Sequence, residues 1–133
     1  MNVEKTMIDH ISIAVSGLEQ GRRFYAAVLG TLGLSELVAK PGTVGFGKRY
    51  PEFWINLRAD MRTVGAESGA HVCLRAASAE AVSAFYAAAV ENGGSAEAAP
   101  KMWPEYNERY FAAFVRDPDG NRIEVVHFLP QSD

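Results

Sequence analysis

A chain of 133 residues, 48% hydrophobic and 22% charged with a net charge of −3, can bury one sizeable core and carries no basic excess to draw nucleic acid or an anionic membrane surface. No apolar run reaches the length of a membrane span, and Met1–Thr6 lacks the apolar core of a signal peptide, so a cytoplasmic setting with no nucleic-acid or membrane partner is expected. The single cysteine, Cys73, excludes an internal disulfide and a Cys-rich zinc site.

In chain order, Ile8 to Val15 alternates as a strand, with Ile11, Ile13 and Val15 on a β-branched face and His10, Ser12 and Ala14 on the other. Ser16 and Glu19 have capping-box spacing, and the helix they open carries Leu18, Phe24, Tyr25, Val28, Leu29 and Leu32 as one stripe. Gly30 and Gly33 end it. Residues 34–57 read as three short strands with turns at Pro41-Gly42 and Tyr50-Pro51-Glu52. A polar connection over 59–69 leads to a strand over Ala70–Arg75. Ser78 then caps a helix reaching about Glu91, with Val82, Phe85, Tyr86 and Val90 as its stripe. Ala98-Ala-Pro100 reads as the edge of a strand, Met102–Glu108 as an aromatic-rich loop, and Tyr110–Arg116 as a strand. The turn Asp117-Pro-Asp-Gly120 leads into a last strand over Asn121–Phe128.

The second half repeats the first. Phe24-Tyr-Ala-Ala27 recurs as Phe85-Tyr-Ala-Ala88 at an offset of 61, and the same offset lays His10 on His71. The ends match at an offset of 68, which lays Phe46 on Phe114, Ile55 on Ile123 and Asn56 on Glu124. Such self-similarity predicts a duplicated fold: one domain over 1–133, with one module at about 7–58 and another at about 69–128.

Strand alternation then sorts the side chains. Phe53, Ile55, Leu57, Ile123 and Val125 fall on the apolar face, which should receive the helices. His10, His71, Glu124, Trp54, Asn56, Arg58 and Arg122 fall on the opposite face. Two histidines and a carboxylate on one face are a ligand set for Fe, Mn, Ni, Co or Zn, and a cation would make a Glu124 embedded in an apolar strand tolerable. The turn geometry pairs Phe114 with Glu124, so Tyr110, Ala112 and Phe114 share that face. Tyr110 is placed to donate a proton or hydrogen bond there. Trp54, Trp103 and Tyr106 are candidates to clamp a flat or apolar ligand, and Arg58 and Arg122 to attract an anion. Cys73 is expected to be a small buried hydrophobe, and His127 to face away.

These residues resemble the vicinal oxygen chelate superfamily, which holds glyoxalase I, fosfomycin-resistance thiol transferases, extradiol dioxygenases and bleomycin-resistance proteins. The resemblance runs from Ile8 to Val126. It is carried by Asp9-His10-Ile11, Phe24-Tyr25, His71 and Asp117-Pro-Asp-Gly-Asn-Arg-Ile-Glu124. It implies an α+β fold of two βαβββ modules, a curved eight-stranded mixed sheet with helices on its convex face. It also implies a divalent metal held by His10, His71 and Glu124. Asn56 occupies the fourth ligand position, where glyoxalase I enzymes carry a carboxylate or Gln. An amide takes no proton at neutral pH, so the set resembles that of three-ligand members. The expected function is a glyoxalase-like, metal-dependent enzyme on a small oxygen-rich substrate, with lyase or isomerase, dioxygenase and thiol-transferase chemistry open. Glu124 and Tyr110 would be catalytic, and Trp54, Asn56, Trp103, Tyr106, Phe114 and Arg122 would bind substrate. The alternative is a non-enzymatic protein of the bleomycin-resistance type that sequesters a small molecule. Members often form homodimers and can exchange modules, so a homodimer is expected.

Overall fold

The computed structural model describes residues 7–131; the reading of Met1–Thr6 lies outside them. Two modules follow one another with the same element order. The first holds β1 (Ile11–Val15), α1 (Leu18–Gly30), β2 (Ser35–Lys40), β3 (Thr43–Gly47) and β4 (Pro51–Leu57). A short 3-10 turn at Ala66–Ser68 leads to β5 (Val72–Arg75), α2 (Ala79–Glu91), β6 (Ser95–Met102), β7 (Tyr110–Arg116) and β8 (Arg122–Phe128). The α+β class and the eight mixed strands are as expected. They lie in two four-stranded sheets, ordered β1-β4-β3-β2 and β5-β8-β7-β6, that do not close on one another. β1 and β5 each pair with a single neighbour, in parallel, and a cleft of about 590 Å³ runs between the modules, floored by Ile11, Phe53, Val72 and Leu74. No helix among the described residues is long and apolar enough to cross a membrane.

The strand phases follow the alternation. Phe53, Ile55, Ile123 and Val125 are buried in one core with Phe24, Tyr25, Val28 and Leu29 of α1 and Val82, Phe85 and Ala89 of α2. The helices pack on each other over that face. In α2 the buried stripe ends on Ala89 while Val90 is 47% exposed, because 82, 85 and 89 share a helical face and 90 is turned one residue past it. β1 starts at Ile11, three residues later than the alternation indicates. The parallel register with β4 would set Asp9 opposite Pro51, whose nitrogen has no hydrogen to donate to the ladder. β6 is longer than Ala98–Pro100. Its register against β7 slips between Ala96 and Ala98 and again between Ala98 and Lys101, and these bulges erase the period-two signal. β2, the outer edge of the other sheet, slips likewise between Glu36 and Val38.

The two helix starts differ. Ser78 caps α2 as expected, its hydroxyl accepting the Ala81 amide at 3.1 Å. The capping box of α1 does not form: Gly17 is the cap residue, and the Ser16 amide donates to Asp119 Oδ2 at 2.9 Å. The β7–β8 turn has drawn Ser16 one residue outside the helix. Ser78→Ala should therefore cost about 1 kcal/mol in urea denaturation and Ser16→Ala less than about 0.5 kcal/mol, whereas equal losses would contradict the assignment.

That turn is also the joint between modules. Gly120 donates its amide to the Asp117 carbonyl (2.9 Å) at φ +90°, and a Cβ there would sit 2.5 Å from the Val64 carbonyl oxygen. Glycine is required on both counts. Asp117 Oδ1 accepts the amides of Asp119 and Asn121, and Oδ2 accepts the Tyr25 hydroxyl (2.7 Å) and Asn121 Nδ2 (2.8 Å). Asn121 Nδ2 also donates to the Ala14 carbonyl at 2.9 Å. The turn after β7 thus grips the end of β1 and one face of α1.

Candidate functional site

The β7–β8 hairpin sets Phe114 opposite Glu124 and Ala112 opposite Val126, and β5 sets Cys73 beside Glu124 from the other side. Glu124 is therefore central in its sheet and 3% exposed, on the face away from the helices. Its oxygens have separate partners. Oε1 lies 3.0 Å from His71 Nε2, and Oε2 accepts the hydroxyl of Tyr110. A carboxylate only accepts, so the Nε2–H tautomer of His71 is the one that can donate to it. Burial, and then the bond to Glu124, push the Tyr110 phenol far above its ordinary range, so it stays a donor.

An aromatic wall runs outward from Glu124. Phe114 meets the His71 ring at 6.0 Å and the edge of Trp103 at 5.3 Å. Trp103 is fixed by its Nε1 donating to the Ala112 carbonyl (3.0 Å), and Tyr106 stacks on it at 5.5 Å with an 8° interplanar angle. Tyr106 is 58% exposed and meets Tyr110 edge-on at 5.3 Å. Arg122 lies over the Phe114 ring at 4.3 Å and Lys101 over Trp103 at 4.1 Å. Glu97 bonds both Arg122 (2.5 Å) and Arg116 (2.8 Å), which takes up much of the charge Arg122 could offer an anion. Glu97 and Lys101 are the neighbours that sequence reasoning missed. Both lie on β6, where the bulges break the alternation that would have placed them.

Of the residues singled out in the sequence, His71, Tyr110, Phe114, Glu124, Trp103, Tyr106 and Arg122 come together on this face. His10, Trp54 and Asn56 belong to the other module. His10 lies one residue before β1, exposed, with Nδ1 2.8 Å from Asp9 Oδ2, and shares the inter-module cleft with His71. Asn56 Oδ1 accepts the Thr43 hydroxyl at 2.7 Å, and Trp54 lies on the bare backbone of Gly45, where a Cβ would come within 2.9 Å of the indole. Arg58 donates to the Leu57 carbonyl at the end of its own strand. His127 faces away, 3.1 Å from the Ala76 carbonyl oxygen.

Cys73 departs from the buried hydrophobe expected: the residue is exposed, because its side of the sheet is open. Its sulfur is nevertheless partly withdrawn from water, 3.9 Å from the Tyr110 oxygen. That desolvation, followed by the charge of Glu124, pushes the thiol up to about 12. At pH 8 the native, metal-free protein should react with iodoacetamide on the order of 10²-fold more slowly than the urea-unfolded chain, since the thiolate is the nucleophile. Comparable rates would contradict it.

The donor chemistry fits part of a metal site. The 3.0 Å between His71 Nε2 and Glu124 Oε1 is the spacing of two neighbouring donors each about 2.1 Å from one ion at right angles. An ion there would replace the imidazole proton. Among the described residues, however, no group of three or more His, Cys, Asp or Glu side chains is gathered closely enough to hold one. A single chain offers the pair, and its own His10, although it lines the same cleft as His71, is not gathered with them.

The sequence profile of the Glyoxalase/Bleomycin resistance protein/Dioxygenase superfamily matches residues 7–125. A glyoxalase/bleomycin resistance protein from Albidiferax ferrireducens T118 is 33% identical, with a TM-score of 0.80 over 92% of this chain and 99% of that one. More distant structures share the fold. A glyoxalase/bleomycin resistance protein/dioxygenase family enzyme from Burkholderia phytofirmans PsJN has 17% identity and a TM-score of 0.70, over 92% of this chain and 98% of that one. Lactoylglutathione lyase from Agrobacterium tumefaciens has 20% identity and a TM-score of 0.64, over 93% and 95%. No protein of curated function matches the chain. With its duplicated βαβββ order, its profile match over most of its length and a solved relative at 33% identity, the chain belongs to the glyoxalase/bleomycin resistance protein/dioxygenase superfamily.

Proposed function

We propose that this protein is a glyoxalase-like, divalent-metal-dependent enzyme acting on a small oxygen-rich molecule, and that its working form is a homodimer. The observation that carries the reading is the pair His71 Nε2 and Glu124 Oε1, 3.0 Å apart at the foot of an open aromatic wall. His71 and Glu124 of one chain, with His10 of the partner subunit, would hold the ion. When bound, the ion supplies Lewis acidity to a substrate with two adjacent oxygens. The chain's own residues do the rest. Phe114, Trp103 and Tyr106 exclude water along one side and receive the apolar part of the substrate. Lys101, with no ion-pair partner among the described residues, offers its ammonium beside Trp103 to an anionic group.

Metal analysis of the wild type, His71→Ala and His10→Ala tests this directly. Each variant alone should lose bound metal, and an unfolded-and-refolded mixture of the two should regain up to about a quarter of the sites, as expected for donors from two chains. A wild type that holds no divalent ion under any supplement would sink the proposal.

A second reading is a binding protein that sequesters a small molecule on the same wall. It is favoured by the incomplete donor set of the single chain. Tight, metal-independent binding of a ligand that survives Glu124→Gln would decide for it.

A further inference from the structure

The two oxygens of Glu124 are held differently, and the difference has a chemical use. Oε1 is 3.0 Å from His71 Nε2, while Oε2 is taken by the Tyr110 hydroxyl. Tyr110 is placed by its own packing. It opens β7 opposite Phe128, and its ring is wedged edge-on against Phe128 (5.3 Å, 88°) and Tyr106 (5.3 Å, 73°). The hydroxyl is thus delivered to Oε2 by rings that would stay in place if the bond were broken. Cys73, which also borders Glu124, offers only a thiol, a weak donor that is a poor substitute for the phenol.

We propose that Tyr110 is a positioning residue: by engaging Oε2 it reserves Oε1 as the single oxygen of Glu124 that ligates the ion beside His71. A carboxylate free at both oxygens can swing or offer both to a cation. One oxygen committed to a fixed donor removes that choice, as partners bonded to the far side of a ligand do in metal sites. The inference rests on the reading that His71 and Glu124 hold a divalent ion, and assigns Tyr110 a role one bond away from it.

Co(II) is the probe, titrated into the full-length wild type and Tyr110→Phe, with the visible ligand-field band recorded at each step. The substitution removes one oxygen and leaves the ring packing intact, and the urea midpoint of each protein reports folding separately. In Tyr110→Phe, affinity for Co(II) should fall about 10–100-fold, and the band should lose intensity as the second carboxylate oxygen enters the coordination sphere. A loss of packing alone would not change the band of the protein that still binds. Wild-type affinity together with a wild-type spectrum in Tyr110→Phe would overturn the assignment while leaving the metal reading intact. A wild type that takes up no Co(II) would fail the metal reading itself, and the role of Tyr110 with it.

Discussion

Glu124→Gln is expected to lower divalent-metal affinity by more than about a hundredfold, with turnover falling at least in proportion, while thermal stability stays level or rises. The two halves of that expectation come from one fact. Glu124 is 3% exposed and is held by His71 and Tyr110, with only the weakly donating Cys73 thiol beside them. A carboxylate buried with so few donors is poorly compensated until a cation arrives, so neutralising it relieves a desolvation cost in the metal-free protein. Gln keeps the shape, can still accept from Tyr110, and can donate its NH₂ to His71 Nε2 once the imidazole proton moves to Nδ1, but it presents no charge to an ion. Calorimetric metal titration and a melting curve on the same preparation separate the two effects. A Glu124→Gln variant that binds metal as the wild type does, or that melts far below it, would show that Glu124 serves the fold rather than the site.

Asp117→Asn should act in the opposite sense, costing about 2–4 kcal/mol of stability and about 8–15 °C of melting temperature. Burial pushes the Asp117 carboxyl up, and Tyr25, Asn121 and two backbone amides pull against that rise. Every one of its partners is a donor: the Tyr25 hydroxyl, Asn121 Nδ2 and the amides of Asp119 and Asn121. An amide keeps one acceptor and turns an NH₂ towards groups that also donate, in a place 2% exposed to solvent. Because these bonds tie the β7–β8 turn to α1, the loss falls on the joint between modules. Metal affinity measured well below the melting point should change little, since Asp117 does not touch the Glu124 face. A variant as stable as the wild type would mean that water satisfies these donors equally well.

Much of this arrangement is legible in the sequence, and the parts that are not share a cause. Period-two alternation assigns Ile123 and Val125 to the core and Glu124 to the open face, and the Asp-Pro-Asp-Gly turn fixes the register that sets Phe114 across from it. The repeat places His10 and His71 at equivalent positions. Alternation, however, states which face of a strand a residue occupies, not how two sheets are oriented. His10 and Glu124 have equivalent phases, yet the described residues of one chain do not gather them into one ligand group. The Ser16–Glu19 capping box fails for a similar reason. A partner 103 residues away, Asp119, outcompetes a local pattern. Glu97 and Lys101 were hidden by bulges, which shift the phase of every residue beyond them.

Those bulges bear on how copies of the chain can meet. An outer strand with a regular run of unpaired amides and carbonyls is a template on which another chain can add a strand without limit. Of the four edge strands, the two long ones, β2 and β6, slip register within their length, and β6 carries Pro100 inside the irregular stretch. Neither offers a long straight ladder. Open-ended growth from edge to edge is therefore discouraged along β2 and β6.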